Sequence, residues 1–267
     1  VAALSSDFFA PSVPRIIAHR GGGGLRPENT LAAFAAAHAL GARYFELDVH
    51  ATSDGILVVC HDPDLDRTTD CSATISTLSY AELSAVDAGY RFAPERGFPF
   101  RGQGLRVPRL EETLVAFTDS YFVIEIKPPQ ASPVPAILNR VLQPASVRRR
   151  VLIASEHQAP LLEMRRLAPE LPTGFSASEI AQFWQAFVSR QRLIPPAQAL
   201  QLPPRYNEID LVTADSVAMA HQIGVEVHVW TVNERVEMRA LLDLGVDGII
   251  TDYPDRALAE IAAHSAT

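Results

Sequence analysis

Cysteine is scarce in this chain: Cys60 and Cys71 are the only two in 267 residues. Two cysteines make neither a disulfide framework nor a zinc set. Both are read as free thiols, which points to a reducing compartment. Long hydrophobic runs are absent, and no apolar stretch approaches the ~18 residues of a membrane span. Positive charge is in deficit, with 23 Lys and Arg against 31 Asp and Glu and a formal net charge of −8. A nucleic-acid surface normally carries a basic stripe, so that class of partner is set aside. A GxxxxGK[ST] phosphate loop and a GxSxG nucleophile elbow are also missing, which argues against nucleotide-driven transfer and elbow-serine hydrolysis. The N-terminal stretch VAALSSDFFAPSVP has neither the basic start nor the apolar run of an intact leader. A cytoplasmic location is expected; a secreted mature form with its leader removed also fits.

What is present is an alternation of short apolar runs with amphipathic helical patterns. RIIAH (15–19), YFELDVH (44–50), YFVIEIK (121–127), VLIAS (151–155), TGFSA (173–177), EVHVWTV (226–232) and DGIIT (247–251) read as strands. Helical patterns follow at 29–41, 110–117, 134–142, 157–168, 178–190, 214–223, 234–243 and 255–263. Before the helix at 214–223, either ALQL (199–202) or IDLV (209–212) can supply the strand, and the first is preferred. Eight strand-helix units imply parallel pairing and a closed (β/α)8 TIM barrel, with an open doubly wound sheet as the runner-up. The period breaks once. TSDG (52–55) turns the chain back into ILVVCH (56–61), and residues of about 62–106 read as a small inserted subdomain after strand two, with a short helix near 79–85. The expectation is a single domain over 1–267.

Charged residues stand where a barrel strand should be apolar. Glu46 and Asp48 are two apart, as are Glu125 and Lys127, so each pair shares one strand face. Leu47, Val49, Phe122, Ile124 and Ile126 then face the helices, and the charges face the barrel interior near the C-terminal strand ends, where barrel chemistry is built. The bland alternative is solvated charge at strand ends. Two unit charges ~4 Å apart repel by about 4 kcal/mol at an effective dielectric of ~20, so converging carboxylates need a counter-charge. Lys127 supplies part of it. A hard divalent cation, Mg²⁺ or Ca²⁺, supplies more, with Glu46, Asp48 and Glu125 as ligands. His19 ends the first strand, His61 ends the strand that the TSDG turn sends back from strand two, and the pair can serve as general acid and general base. Arg20 and Lys127 suit a phosphate, and glycines 21–24 can lend backbone N–H groups to an anion, although a plain turn is the simpler account of the run. Cations, a hard metal and two proton-transfer groups together describe phosphate-ester hydrolysis.

These residues resemble the glycerophosphodiester phosphodiesterase family. HRGGGGLRPENTLAAF is similar to its first motif, and ELDVHATSDGILVVCHDPDLDRTTD (46–70) to its second. VPRLEETL (107–114), IEIK (124–127), VHVWTVN (227–233) and LGVDGIITDYPD (244–255) are similar to later blocks. The resemblance implies a TIM barrel with a small insertion and hydrolysis of glycerophosphodiesters to sn-glycerol 3-phosphate and an alcohol. It implies a cation on Glu46, Asp48 and Glu125, proton transfer by His19 and His61, and phosphate contacts from Arg20 and Lys127. Glu28 and Asn29 belong to the first motif and either cap helix one or touch the site. Trp230 walls a glycerol pocket or packs in the core. Asp252 is expected to cap the last loop rather than touch substrate. The departures DCSATIS (70–76), Arg109 and ASEH (154–157) leave the shape of the insertion open, and with it the alcohol that fits. Two other readings compete with it: a phospholipase D-like lyase that stops at a cyclic phosphate, and a non-catalytic barrel that binds phosphodiesters or a partner protein.

Overall fold

In the computed structural model, residues 6–128 and 132–264 are described. Residues 1–5, the start of the stretch read above for a leader, lie outside them. Ten strands are present among the described residues. Seven run parallel around a barrel: β1 (Arg15–Ala18), β2 (Tyr44–Ala51), β4 (Tyr121–Ile126), β5 (Val151–Ala154), β6 (Ala199–Leu202), β9 (Glu226–Val229) and β10 (Gly248–Thr251). Their order is β5-β4-β2-β1-β10-β9-β6. The remaining gap is closed by Thr173 and Gly174, which bridge in parallel to Ile153 and Ala199. The fold is therefore the expected (β/α)8 barrel. The fifth strand, expected over 173–177, is reduced to this bridge. Ser176 and Glu179 form a reciprocal capping box that starts a helix at Ala177 and takes the backbone away from the ladder.

The preferred strand, Ala199–Leu202, is the sixth stave. Residues Arg205–Tyr206 (β7) and Ile209–Asp210 (β8) instead pair antiparallel as an exposed hairpin beyond it. Leu57–Val59 (β3) pairs antiparallel with β2, as the TSDG turn demands. The helices are α1 (Leu31–Leu40), α2 (Tyr80–Leu83), α3 (Leu110–Ala116), α4 (Val134–Val141), α5 (Ala145–Arg148), α6 (Gln158–Leu167), α7 (Ala177–Ser189), α8 (Ala214–Gln222), α9 (Arg235–Asp243) and α10 (Pro254–His264). Residues 62–106 carry α2 and two 3-10 turns, and they pack Leu65, Ile75, Leu83 and Val86 onto Val58 and Cys60.

Side-chain alternation sets the layers. Phe45, Leu47, Val49, Phe122, Ile124 and Ile126 face outward and are buried with Phe34, Leu110 and Leu138 from the helices. Inside, Ile17, Tyr44, Val123, Leu152 and Ile250 pack around Phe8 from the N-terminal segment, which plugs the lower end. Arg15 is buried there. It donates to Glu226 Oε2 at 2.5 Å and to the carbonyls of Phe9 and Pro11 at 3.0 Å, which ties the plug to the barrel. With the lower end sealed, the upper mouth is left for the charged residues.

Candidate active site

The glycine-rich stretch follows β1 as a tight turn. Arg20 sits in left-handed backbone (φ 50°, ψ 34°), unusual for a residue with a side chain. That twist aims its N–H at Glu46 Oε2, 2.9 Å away. The glycines serve packing. A Cβ on Gly24 would lie 2.5 Å from the Tyr253 ring, and one on Gly21 would lie 2.9 Å from Phe34. The N–H groups of Gly22 and Gly23 donate to His19 O, and that of Gly24 donates to Asp252 O. They are thus committed within the turn, and the expected anion cradle is not formed by these three amides.

Glu46, Asp48 and Glu125 converge as the strand periodicity requires, because Asp48 and Glu125 are register partners on β2 and β4. One carboxylate oxygen from each lies within 4.8 Å of the others, so the set could hold a metal ion. Asp48 is almost fully buried. Its Oδ2 accepts from Asn29 Nδ2 at 2.8 Å, while its Oδ1 is buried with no hydrogen-bond partner among the described residues. A buried carboxylate oxygen without a donor is costly unless a cation meets it. Burial, together with the charge of Asp48, pushes Glu46 up to about 8 and raises Glu125 as well. Lys127 answers part of this charge, with Nζ 3.0 Å from Glu125 Oε1 and 3.7 Å from Asp48 Oδ1. Burial disfavours the ammonium, but Glu125 and Asp48 outweigh it and raise its pKa.

Each expected histidine is backed by a carboxylate. His19 Nδ1 lies 2.7 Å from Asp252 Oδ1, and its Nε2 lies 3.9 Å from Glu46. His61 Nδ1 lies 2.6 Å from Asp62 Oδ1, and its Nε2 lies 3.1 Å from Lys127 Nζ. A carboxylate on one ring nitrogen fixes the tautomer and leaves the other nitrogen for chemistry. Burial works against a charged His19, but the Asp252 hydrogen bond and the Glu46 field prevail and raise it above an ordinary imidazole. Asp252 thus does more than the expected loop capping. Asn233 Nδ2 donates to its Oδ2 at 2.8 Å and holds it in place.

The motif residues Glu28 and Asn29 do not cap helix one. Thr30 does, accepting from Ala33 N. Asn29 holds Asp48, and Glu28 accepts from Arg20 Nη1 at 2.9 Å and from Arg67 at 2.7 and 2.8 Å. Arg67 also donates to Asp62, so one guanidinium links the first motif to the His61–Asp62 pair. Sequence reasoning missed Arg67, Asp62 and His50. His50 Nε2 meets His61 O at 3.0 Å, and it lies on the same strand face as Glu46 and Asp48, a signal open to inspection. Lys127 is the only lysine in the chain, another signal left unused.

A cavity of about 780 Å³ opens at this mouth. One side is lined by His19, Arg20, Glu46, His61, Glu125 and Lys127; Trp230, Phe175 and residues of α7 line the other. Trp230 is thus a wall of the cavity, 43% exposed, and not a core residue. Among the described residues, no helix is long and apolar enough to cross a membrane.

Known proteins carry the same arrangement of chain. The profile of the Glycerophosphoryl diester phosphodiesterase family matches residues 19–256. A glycerophosphodiester phosphodiesterase of Bacillus subtilis is 33% identical over 267 residues, spanning 95% of this chain and 88% of that one. One from Caldanaerobacter subterraneus is 33% identical over 244 residues, spanning 90% of this chain and 94% of that one. A solved Oleispira antarctica phosphodiesterase, in complex with the product sn-glycerol-3-phosphate, superposes with a TM-score of 0.76 at 27% identity, covering 94% of this chain and 97% of that one. With the match running from the turn after β1 into α10 and this barrel beneath it, the chain belongs to the glycerophosphoryl diester phosphodiesterase family.

Proposed function

We propose that the chain hydrolyses glycerophosphodiesters to sn-glycerol 3-phosphate and an alcohol, with Glu46, Asp48 and Glu125 holding a divalent cation and His19 and His61 moving the protons. The observation that carries this reading is the gathering of three carboxylates and two His–Asp pairs on one side of one cavity. Residues 1–267 act in this reading as one barrel domain, with 62–106 as an excursion that brings Arg67 to the mouth. The all-oxygen donor set suits Mg²⁺ or Ca²⁺, which when bound supplies positive charge against that developing on the phosphate.

The chain's own groups divide the remaining work. Lys127 donates toward His61 Nε2, so that nitrogen carries the ring's lone pair, which is freed for a proton when Lys127 turns to the phosphate, and Nδ1–H faces Asp62. This is the form of a general base, able to take a proton from the attacking hydroxyl or water. His19, with its raised pKa, is the general acid that protonates the leaving oxygen. Arg20 and Lys127 bind the phosphate oxygens. Trp230 walls the pocket. Glu28 and Asn29 support the site by fixing Arg20 and Asp48.

Asp252 is a positioning residue for His19. Asp252→Asn is expected to lower kcat about 10- to 1,000-fold with KM little changed, because the ring loses the charged acceptor that fixes its tautomer. The same change removes the interaction that raises His19. The limb of the pH–rate profile that reports the acid therefore moves to lower pH, which a stopped-time assay across pH reads directly. An unmoved limb would contradict the pairing.

A panel of glycerophosphodiesters followed by phosphorus NMR tests the overall reading. With Mg²⁺ or Ca²⁺, sn-glycerol 3-phosphate should accumulate, and EDTA should slow its release by about 100-fold or more. A cyclic phosphate that persists would identify a lyase instead. Silence toward every diester in the panel would remove the hydrolase reading altogether.

A further inference from the structure

The insertion at 62–106 lines no part of the main cavity, yet one of its side chains reaches two acids that back cavity residues. Arg67 stands in a turn that is pinned on both sides. Leu65, two residues before it, is fully buried. Thr69, two residues after it, is buried too, and its amide and hydroxyl both donate to Leu65 O, at 3.0 and 2.7 Å. Arg91, from further along the insertion, donates from Nε to Thr69 O at 3.0 Å and from its amide to Thr68 O. Such a turn presents its side chain from a fixed base.

All three guanidinium nitrogens of Arg67 are engaged. Nη1 and Nη2 hold the two oxygens of Glu28 at 2.8 and 2.7 Å, a bidentate fork, and Nε donates to Asp62 Oδ2. Behind each acid stands a cavity residue. Glu28 Oε1 also accepts from Arg20 Nη1 at 2.9 Å, and Asp62 Oδ1 lies 2.6 Å from His61 Nδ1. Across the mouth a second route joins the same two residues. Lys127 Nζ lies 3.1 Å from His61 Nε2 and 3.7 Å from Asp48 Oδ1, and Arg20 Nε lies 3.6 Å from Asp48 Oδ2. Arg20 and His61 are therefore tied to each other from two directions, and Arg67 is the link on the outer one.

The simpler account is that Arg67 fastens the insertion to the barrel. Its side chain is 46% exposed, and an ion pair so placed adds little stability. Fastening also requires neither a two-point fork nor partners that both bear on residues of the cavity. We propose that Arg67 is a positioning residue: through Asp62 it orients His61 for proton transfer, and through Glu28 it orients Arg20 for the phosphate. The insertion thereby sets the rate of a reaction it does not touch. This inference rests on the hydrolase reading above.

The test follows kcat and KM on glycerophosphocholine with Mg²⁺ or Ca²⁺. Arg67→Ala is expected to lower kcat about 10- to 100-fold, since a small misplacement of a reacting group costs rate on that scale. KM should rise about threefold or more as Arg20 loosens. Arg67→Lys keeps the charge but not the fork, and it should recover little of either loss. Two double-mutant cycles separate the routes. With Asp62→Asn already in place, Arg67→Ala should cost less than about twofold in kcat, and with Glu28→Gln in place it should move KM by less than about twofold. A small cleft of about 190 Å³ borders Arg67 and Glu28, so added guanidinium can occupy the vacated place. It should restore the kcat of Arg67→Ala at least about fivefold. A folded Arg67→Ala protein with near-parental kcat and KM overturns the inference. So do losses that keep their full size in both backgrounds, come with a lower Tm and resist guanidinium, since they mark fastening alone. If the parent turns over no diester, the hydrolase reading fails first and this one with it.

Discussion

His61→Ala is expected to lower kcat about 100- to 10,000-fold, the usual worth of a positioned proton-transfer group, while leaving cation affinity within a few-fold of the parent. The separation follows from the geometry. His61 touches Asp62 and Lys127 and is not one of the three converging carboxylates. His19→Ala should behave the same way in kcat. The double variant should cost little more than either single one if the two rings act in one concerted transfer, because groups acting as a unit are not additive. Steady-state kinetics paired with calorimetric titration of Mg²⁺ or Ca²⁺ reads both quantities. Near-normal turnover by His61→Ala would end the two-histidine assignment, and lost cation binding would show that His61 is a ligand.

Glu46→Gln should move activity and stability in opposite directions. Loss of one of three carboxylates removes a ligand charge, so cation affinity should fall by about 100-fold or more and turnover with it. At alkaline pH the cation-free protein should gain stability, because a buried, mutually repelling carboxylate is gone while the substituted amide oxygen can still accept from Arg20 N. The pH dependence carries the sign. In the folded, cation-free chain Glu46 is raised from 4.5 to about 8 by burial and by Asp48. The folded state therefore holds a proton that the unfolded chain releases over that window. This contribution is complete below the ordinary carboxyl value and is lost as pH rises through about 8. Between about pH 5.5 and pH 8 the loss is on the order of 3 kcal/mol, or roughly 6–12 °C in Tm. Differential scanning calorimetry in EDTA should show that fall in the parent protein and a much flatter profile in Glu46→Gln. Added cation should restore the parent most at the alkaline end. A parent Tm in EDTA that rises over this window would contradict the assignment.

Cys60 offers a contrast. Burial and the nearby Asp48 push its thiol up to about 12, so it is an inert core residue at neutral pH. Its position one residue before His61 is a matter of strand packing, and it takes no part in the chemistry argued here.

Much of the site was legible in the chain because strand alternation is a strict rule. Charges two residues apart on a strand must share a face, and hydrophobic neighbours at 45, 47, 49, 122, 124 and 126 assign the opposite face to the helices. The same rule would have marked His50. The fifth strand was misjudged because TGFSA contains both a β-compatible run and a helix-capping signal, and the Ser176–Glu179 box prevailed. For Glu28 and Asn29 the sequence leaves a helix cap and a site contact equally open, because N-cap preferences are local and say nothing of contacts across space. Thr30 satisfies that role, and the two polar side chains reach across space instead.

The sequence by itself determined the barrel class, the inward-facing acids and the two histidines, because each follows from a period along one strand or from a motif of fixed spacing. Only the tertiary structure decided which carboxylate backs which imidazole, that Arg67 joins Glu28 to Asp62, and that residues of α7 line the cavity. His19 and Asp252 are 233 positions apart and Arg67 and Glu28 are 39 apart, distances that no local propensity encodes. These pairings arise when the closing barrel brings the ends of β1, β2, β4 and β10 to one rim, where a buried charge must find its counter-charge or remain costly.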